Sequence, residues 1–431
     1  MLNPNLSVNE LGHLSIGGVD TVKLAEEYGT PAYIIDETAV RTRVAELRDS
    51  LSDYYNGNSL CLYASKALCC MELCRILASE GIGIDVVSGG EIFTAYKAGF
   101  PMERVYFHGN NKTVDELSLA LDTGVGRFVV DNISEIRTLS ALCKEKGKTA
   151  DVLLRIKPGI DAHTHSFVRT GQIDSKFGFA LETGEAYEAV KLVLNLANIN
   201  FVGLHCHIAS QVFEIAPFVE AAEVMLGFIE KLKTELGCEV NELDLGGGFG
   251  VPYVEGDERI AFSSFLQPVS ERIHEICADK SLKLPKILIE PGRSVIAEAG
   301  ITLYTVGAVK NIPNIRTYVS VDGGMTDNPR YILYGSPYTV ECANKASLPK
   351  DTVVTVAGKC CESGDLIQEN APLQQVTDGD IIAVLSTGAY NYSMSSNYNR
   401  IPRPPVIIVK DGESRVAVRR ETWDDVINLD N

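Results

Sequence analysis

The chain has 431 residues, of which 45% are hydrophobic and 22% are charged, and its formal net charge is −18. This composition is typical of a folded globular protein and argues against a disordered one. The acidic balance argues against a generic nucleic-acid binder, since that task needs a basic surface. No apolar run reaches the ~18 residues that span a bilayer, and the N-terminus lacks the basic and apolar regions of a signal peptide. We therefore expect neither a nucleic-acid partner nor a membrane association.

The eleven cysteines are scattered along the chain and odd in number. Without a secretory signal, this pattern predicts reduced thiols and a cytoplasmic protein. Cys70 and Cys74 have the spacing of a ligand pair, but no second pair follows them, so we expect no metal site.

From about residue 36 to residue 300, short apolar runs alternate with longer amphipathic segments. Runs of this length are typical of strands that are buried on both faces of a parallel sheet. Eight strands with helices between them predict an α/β fold, a (β/α)8 TIM barrel, with an open doubly wound sheet as the alternative. Thr113 and Ser134 have the character of helix N-caps. The predicted strands are 60–64, 84–87, 105–108, 128–130, 152–156, 202–206, 243–245 and 287–289, and the predicted helices are 71–79, 91–98, 114–122, 134–146, 184–196, 217–236 and 262–278.

After residue 300 the pattern changes to short β-branched runs separated by Gly, Pro, Asn or Asp, which predicts an all-β domain. Residues 14–16 are a further candidate strand for it. We therefore expect a β-domain made of residues 1–35 and 301–431 around an inserted barrel of residues 36–300. Its predicted strands are 301–309, 317–321, 353–357, 381–385, 406–409 and 415–418.

Residues that can carry chemistry follow the predicted barrel strands, where a barrel builds its active site. Lys66 follows the first strand; it is either a partly desolvated amine that can form an imine or a surface lysine at a strand end. The glycines of 246–250 either let backbone N–H groups approach a phosphate or simply form a tight turn. Glu290 needs a partner, which is either Arg293 or the protonated ring nitrogen of a cofactor. One histidine of the pair His205 and His207 is either a residue that orients or stacks on a ligand, a metal ligand, or a core histidine.

Taken together, motifs at these strand ends resemble the fold-type III pyridoxal-phosphate decarboxylases, which have an alanine-racemase-like barrel followed by a β-domain. Motifs in the second half of the chain narrow the resemblance to the diaminopimelate decarboxylase family. This resemblance implies pyridoxal 5′-phosphate as cofactor and the decarboxylation of meso-2,6-diaminopimelate to L-lysine and CO2, the last step of lysine biosynthesis. The motifs are 63–66, 88–91, 205–211, 246–250 and 290–293 in the barrel, and 329–334, 361–365, 388–399 and 400–405 after it.

The resemblance also implies roles toward the cofactor. Lys66 would form the imine with the cofactor aldehyde, His207 would stack on the ring, and Glu290 would pair with the pyridinium nitrogen. That pairing keeps the ring an electron sink for the carbanion left when CO2 departs. The further cofactor contacts that it implies are Ser210, Gly247, Gly248, Pro291, Gly292, Arg293 and Tyr390.

For the substrate, the resemblance implies that Arg293, Arg330 and Tyr334 grip the distal carboxylate. Guanidinium groups suit that bidentate task better than lysine does. Glu362 would take the distal ammonium, and Cys361 would donate the proton that quenches the carbanion. In this family Cys361, Glu362 and Tyr390, the last also a substrate contact, complete the partner subunit's site, so a homodimer is expected.

Two other interpretations remain open. One is a related decarboxylase that acts on another basic amino acid or on a carboxylated polyamine; a purely diamine substrate would not need Arg330 to grip a carboxylate. The other is a non-catalytic homologue that binds a partner. Such proteins tend to lose the imine lysine or the proton donor, whereas this chain keeps Lys66 and Cys361.

Overall fold

The computed structural model describes residues 3–55, 58–160 and 174–431. The chain forms two compact units. The barrel unit comprises Val44–Gly250 and Ile260–Gly292, and the β unit comprises Met1–Arg43, Val251–Arg259 and Arg293–Asn431. The chain thus leaves the barrel unit briefly at 251–259 before returning to it, and the domain limits of 36 and 300 stay a prediction.

The barrel unit contains eight parallel strands that close into a cylinder. Neighbours along the chain pair with each other, and the last strand, Lys286–Ile289, pairs with the first, Ser59–Ala64. This closure confirms the barrel and excludes the open sheet. A short extra strand, Phe179–Ala180, pairs with the fifth barrel strand. The strands are Ser59–Ala64, Gly83–Val86, Val105–Phe107, Arg127–Val130, Ala150–Lys157, Ile199–Cys206, Glu242–Asp244 and Lys286–Ile289.

All seven predicted barrel helices are present, with small shifts at their ends. Thr113 is an N-cap as predicted, and it forms a capping box with Glu116. Ser134 is not an N-cap: Asn132 takes that place, because its extended backbone lets the side chain accept from the Glu135 N–H. The helices are Met71–Ser79, Gly89–Ala98, Val114–Thr123, Ile133–Lys146, Glu185–Leu194, Ala216–Leu236 and Phe262–Asp279.

The barrel interior has an apolar layer and a polar one. Leu62, Tyr106, Val129, Leu153 and Leu288 come from five strands and pack together as a buried cluster, as the inward side chains of such barrels do. At or just beyond the carboxyl ends of the strands the buried side chains are instead polar. Buried polar groups need partners, so this end of the barrel is where a ligand site is expected. This polar set includes Asp85, His108, Asp131, His205, Asp244 and Glu290.

The β unit is built around one long strand, Gly300–Ile312, which pairs with Ala32–Asp36, Arg316–Val321 and Ile381–Leu385. The N-terminal segment therefore belongs to the β-domain, as expected. Leu14–Ile16 is a strand, but it lies in a separate three-stranded sheet of this unit. The remaining strands are Leu6–Val8, Val19–Asp20, Val340–Cys342, Thr352–Ala357, Leu366–Leu373, Val406–Lys410 and Glu413–Val418, and the helices outside the seven of the barrel are Thr21–Tyr28, Glu37–Tyr55, Arg293–Ile296, Arg330–Tyr334 and Trp423–Ile427.

All eleven cysteines lie in the described part of the chain, and each is a free thiol. Among the described residues, no helix combines the length and the apolarity that crossing a bilayer requires. Both findings agree with the sequence expectations, although neither one assigns a compartment.

Candidate active site

Lys66 lies on a one-turn 3-10 helix, Ser65–Ala67, directly after the first barrel strand. It is exposed, while Ser65 and Ala67 are fully buried. Of the two interpretations of Lys66, the structure of the single chain favours the lysine exposed at a strand end, because the strand ends at Ala64. Lys66 nevertheless influences His207. Burial is the main reason that the pKa of His207 lies well below its usual value, and the positive charge of Lys66 is the second reason.

The glycine triplet after the seventh strand lies against two neighbouring loops. The Gly247 N–H donates to His207 Nδ1 over 3.2 Å, which leaves the imidazole proton on Nε2. A Cβ at Gly247 would come within 2.0 Å of the Glu290 carbonyl oxygen, and Gly248 has a φ of +117°. Neither position tolerates a side chain, so the loop exposes bare backbone. The Gly248 N–H has no acceptor within the described ranges, so it fits the predicted phosphate contact better than the Gly247 N–H does.

Glu290 follows the eighth strand, and its backbone N–H donates to the Gly246 carbonyl over 2.8 Å. Its buried carboxylate faces two imidazoles. His205 Nε2 forms a hydrogen bond of 3.2 Å with Oε2, and His108 Nε2 lies 2.8 Å from Oε1. Burial alone would raise the pKa of Glu290, but His108 and His205 outweigh it and hold that pKa well below its usual value. The carboxyl is therefore ionised at neutral pH.

The Glu290 carboxylate fits a pyridinium partner. Although His108 Nε2 is close to Oε1, the two groups are not aligned for a hydrogen bond, and Oε1 has no hydrogen-bond partner among the described residues. An ionised buried oxygen without a donor is costly, and a protonated ring nitrogen is a donor of the right charge. With an amine at Lys66 and bare backbone at Gly247 and Gly248, the residues present fit pyridoxal phosphate.

The sequence interpretation gave no role to His108, Asp85 or Asp244. His108 was visible as a polar residue after the third strand, but its contact with Glu290 depends on barrel closure. The ligand atoms of His108, His205 and Glu290 lie within 4.8 Å of one another, which is also a spacing that can hold a cation. The expectation that the protein uses no metal therefore stays a prediction.

In the β unit, two predicted arginines converge on one phenol. Arg293 Nη1 donates to Tyr253 Oη over 2.9 Å, and Arg330 Nη1 donates to the same oxygen over 3.1 Å. Arg330 also donates to Tyr338 Oη over 3.0 Å and to Ser336 Oγ over 3.1 Å. Both guanidinium groups are buried. Two buried cations that share one phenol oxygen form a site suited to an anion such as a carboxylate.

Tyr253 was missed by the sequence interpretation, although it lies only three residues after the glycine cluster. Burial would raise its pKa, but the charges of Arg293 and then Arg330 outweigh burial and lower it. Tyr390, which was predicted, has its ring centroid 4.7 Å from the Arg293 guanidinium carbon and a backbone φ of 65°. Aromatic rings thus surround both arginines and limit their access to water.

Cys361 and Glu362 are exposed, and Tyr334 is 37% exposed. Within the described residues, no side-chain hydrogen bond or ion pair joins these three to the arginine pair. The loop that carries Cys361 is nevertheless fixed, because Asp365 accepts from the Cys360 N–H over 2.7 Å and from the Met325 N–H over 2.5 Å. Cys361 is therefore an exposed residue on a loop that hydrogen bonds to Asp365 hold in place.

Comparison with known proteins gives the class of the chain. The sequence model of the family "Pyridoxal-dependent decarboxylase, pyridoxal binding domain" matches residues 38–297. Over 422 residues the chain is 46% identical to the diaminopimelate decarboxylase of Bacillus subtilis (98% of this chain, 96% of that protein), and it is 42% identical to that of Synechocystis over 431 residues (98% and 91%). The fold matches the crystal structure of diaminopimelate decarboxylase from M. jannaschii in complex with L-lysine, with a TM-score of 0.94, 33% identity and coverage of 100% and 99%.

The closed barrel, the β-domain and the family match define a pyridoxal-phosphate-dependent decarboxylase with an alanine-racemase-like fold. Within that class, the chain belongs to the diaminopimelate decarboxylase family.

Proposed function

We propose that the protein removes one carboxylate of meso-2,6-diaminopimelate as CO2 and releases L-lysine, the last step of lysine biosynthesis. Full-length similarity to diaminopimelate decarboxylases carries the proposal. The pair of buried arginines around Tyr253 supports it, because a substrate whose far end is an amino acid brings a second carboxylate that needs such a site.

When bound, pyridoxal phosphate supplies the electron sink that takes up the electrons of the broken bond to CO2. In our proposal Lys66 contributes the amine that binds the aldehyde, and the ionised Glu290 holds the ring-nitrogen proton. His207, whose tautomer the Gly247 N–H fixes, lies against the ring. The phosphate is held by Ser210, Gly247, Gly248 and Tyr390, with Pro291, Gly292 and Arg293 as further cofactor contacts.

At the other end of the substrate, Arg293, Arg330 and Tyr334 bind the distal carboxylate and Glu362 binds the distal ammonium. Tyr390 contributes a further substrate contact, and the Cys361 thiol donates a proton to the carbon that lost CO2. A thiol on a fixed, accessible loop can meet a substrate without reorganisation of the backbone.

The test of the proposed reaction is CO2 release with pyridoxal phosphate present, measured on meso-diaminopimelate, lysine, ornithine and arginine. We expect release from meso-diaminopimelate alone and equimolar formation of lysine. Turnover of lysine, ornithine or arginine in its place would favour the related decarboxylase, and a protein that takes up no pyridoxal phosphate would favour the non-catalytic homologue.

Replacing Arg330 with alanine is expected to raise the KM for meso-diaminopimelate about tenfold or more, since a charge-assisted contact to the carboxylate is lost. The visible absorbance of bound pyridoxal phosphate should persist. Arg316→Ala is the matched control, because Arg316 pairs with Glu369 in the same unit without a proposed role. An unchanged KM in Arg330→Ala would mean that the distal carboxylate binds elsewhere.

We also propose that the enzyme is a cytoplasmic homodimer in which Cys361, Glu362 and Tyr390 complete the partner subunit's site. The exposure of Cys361 and Glu362 in the single chain supports this, since residues that serve a second subunit must be accessible. The eleven free thiols support the compartment.

Shared sites predict that two inactive variants restore activity when their subunits are mixed. Lys66→Ala and Cys361→Ala homodimers are each expected to be nearly inactive. Random exchange of subunits should make about half of the dimers mixed, each with one intact site, so activity recovers to roughly a quarter of the wild-type value. The measurement is CO2 release after subunit exchange, with unexchanged mixtures as control. No recovery from dimers shown to be mixed would place both residues in one subunit's site.

A further inference from the structure

Asp85, Asp244 and Glu290 are among the carboxyl groups buried at the carboxyl end of the barrel, and their pKa values are shifted in different directions. Burial raises the pKa of Asp85, and it raises the pKa of Asp244 well above its usual value. Only Glu290 has a lowered pKa. Glu290 is therefore the member of this group whose charged form its surroundings stabilise.

The difference arises from the two imidazoles that face Glu290, one at each oxygen. His108 and His205 meet edge to face, with ring centroids 4.9 Å apart. Burial lowers the pKa of His205 to about 4, so its ring is neutral at pH 7. The single proton then lies on Nε2, which is 3.2 Å from Oε2, while Nδ1 has no partner within the described ranges. His205 is thus a neutral hydrogen-bond donor to the carboxylate.

The contacts also fix how the carboxylate is turned. Oε2 is bonded to His205, and His108 Nε2 lies 2.8 Å from Oε1 without hydrogen-bond alignment. A carboxylate oxygen can accept two hydrogens. Oε1 therefore remains able to accept a donor, while rotation of the carboxylate is opposed from both sides.

We propose that His108 and His205 are positioning residues for the cofactor ring: they flank the Glu290 carboxylate and fix its rotation, so that Oε1 receives the ring N–H. This inference rests on the proposed function, in which Glu290 pairs with the pyridinium nitrogen. It assigns a task to two buried histidines that the reaction itself does not use, and neither one touches substrate in this scheme.

The test compares two ligands on the full-length protein freed of cofactor: pyridoxal phosphate, and its carbocyclic analogue in which C–H replaces the ring nitrogen. Dissociation constants are measured for the wild type, His108→Leu, His205→Leu and the two glutamine variants. Glutamine keeps an N–H donor near the place of Nε2. His13→Gln is the matched control, since His13 contacts the carboxylate of Asp20 in the β unit.

We expect each leucine variant to bind pyridoxal phosphate about tenfold more weakly. His205→Leu removes the donor to Oε2, and His108→Leu removes the ring that lies against Oε1, so in both variants the carboxylate is less well fixed. Affinity for the carbocyclic analogue should stay within about twofold of wild type, because that ligand has no ring N–H for Glu290. The glutamine variants should recover most of the loss. In a Glu290→Gln background, removal of either histidine should have no further effect on the preference between the ligands.

Two results would overturn the inference: equal weakening of both ligands, which marks a general structural role, or full retention of the preference for pyridoxal phosphate. If the leucine variants do not fold, asparagine replaces leucine, because its shorter side chain cannot bring an amide to the place of Nε2. A wild-type protein that binds both ligands equally well would instead refute the proposed role of Glu290, so the two failures are distinguishable.

Discussion

Replacing Lys66 with alanine is expected to remove both the yellow colour of bound pyridoxal phosphate and the release of CO2. Lys66 supplies the one amine assigned to the proposed site, and an amine is needed to form the imine with the cofactor aldehyde, so turnover should fall on the order of a thousandfold or more. The measurements are the visible spectrum of the purified variant and its CO2 release from meso-diaminopimelate.

The matched control is Lys191→Ala, which removes an exposed lysine that pairs with Glu188 on a barrel helix. It should keep both colour and activity. A Lys66→Ala protein with an unchanged spectrum and normal turnover would contradict the central assignment, and the exposure of Lys66 makes this experiment the most decisive one available.

Replacing Cys361 with alanine is expected to separate cofactor binding from turnover. The colour should persist, because the thiol has no part in holding pyridoxal phosphate. The kcat should fall about a hundredfold or more, since a positioned proton donor contributes that much. Spectra and CO2 release on the same preparation test both halves of the expectation.

Cys360→Ala provides a neighbouring control. Cys360 is buried, and burial raises the pKa of its thiol to about 11, so it is a poor proton donor and should be dispensable for turnover. Full activity in Cys361→Ala would remove that residue from the mechanism, whereas a loss shared equally by both variants would indicate damage to the loop that Asp365 anchors.

The barrel could be predicted because its strands are short apolar runs whose pattern is local. The strand Leu366–Leu373 was missed for a local reason as well: it lies at the edge of its sheet and contains Pro372 and polar residues, which an edge strand tolerates. Its sequence therefore has little strand character.

The site was predicted less completely than the fold, because its contacts join distant parts of the chain. Gly247 and Glu290 stood out as residue types, but sequence could not show that Gly247 approaches the Glu290 carbonyl. Likewise Tyr253 and Arg330 are 77 residues apart, and neither local sequence pattern indicates that the two side chains are in contact. The sequence left open whether Lys66 is buried or exposed, because an apolar strand does not reveal where the side chains that follow it point.

The close approach of Gly247 to Glu290 affects which forms of vitamin B6 the protein can bind. The contact between Gly247 and the Glu290 carbonyl, and the hydrogen bond from the Glu290 N–H to the Gly246 carbonyl, are both made by backbone atoms. Together they set the distance between the glycine backbone proposed to bind the phosphate and the Glu290 carboxylate proposed to bind the ring nitrogen. Backbone contacts adjust less than side-chain contacts do, so this distance is nearly fixed and favours a ligand of matching length. Pyridoxal without its phosphate can contact Glu290 but not the glycine backbone, so it should bind weakly.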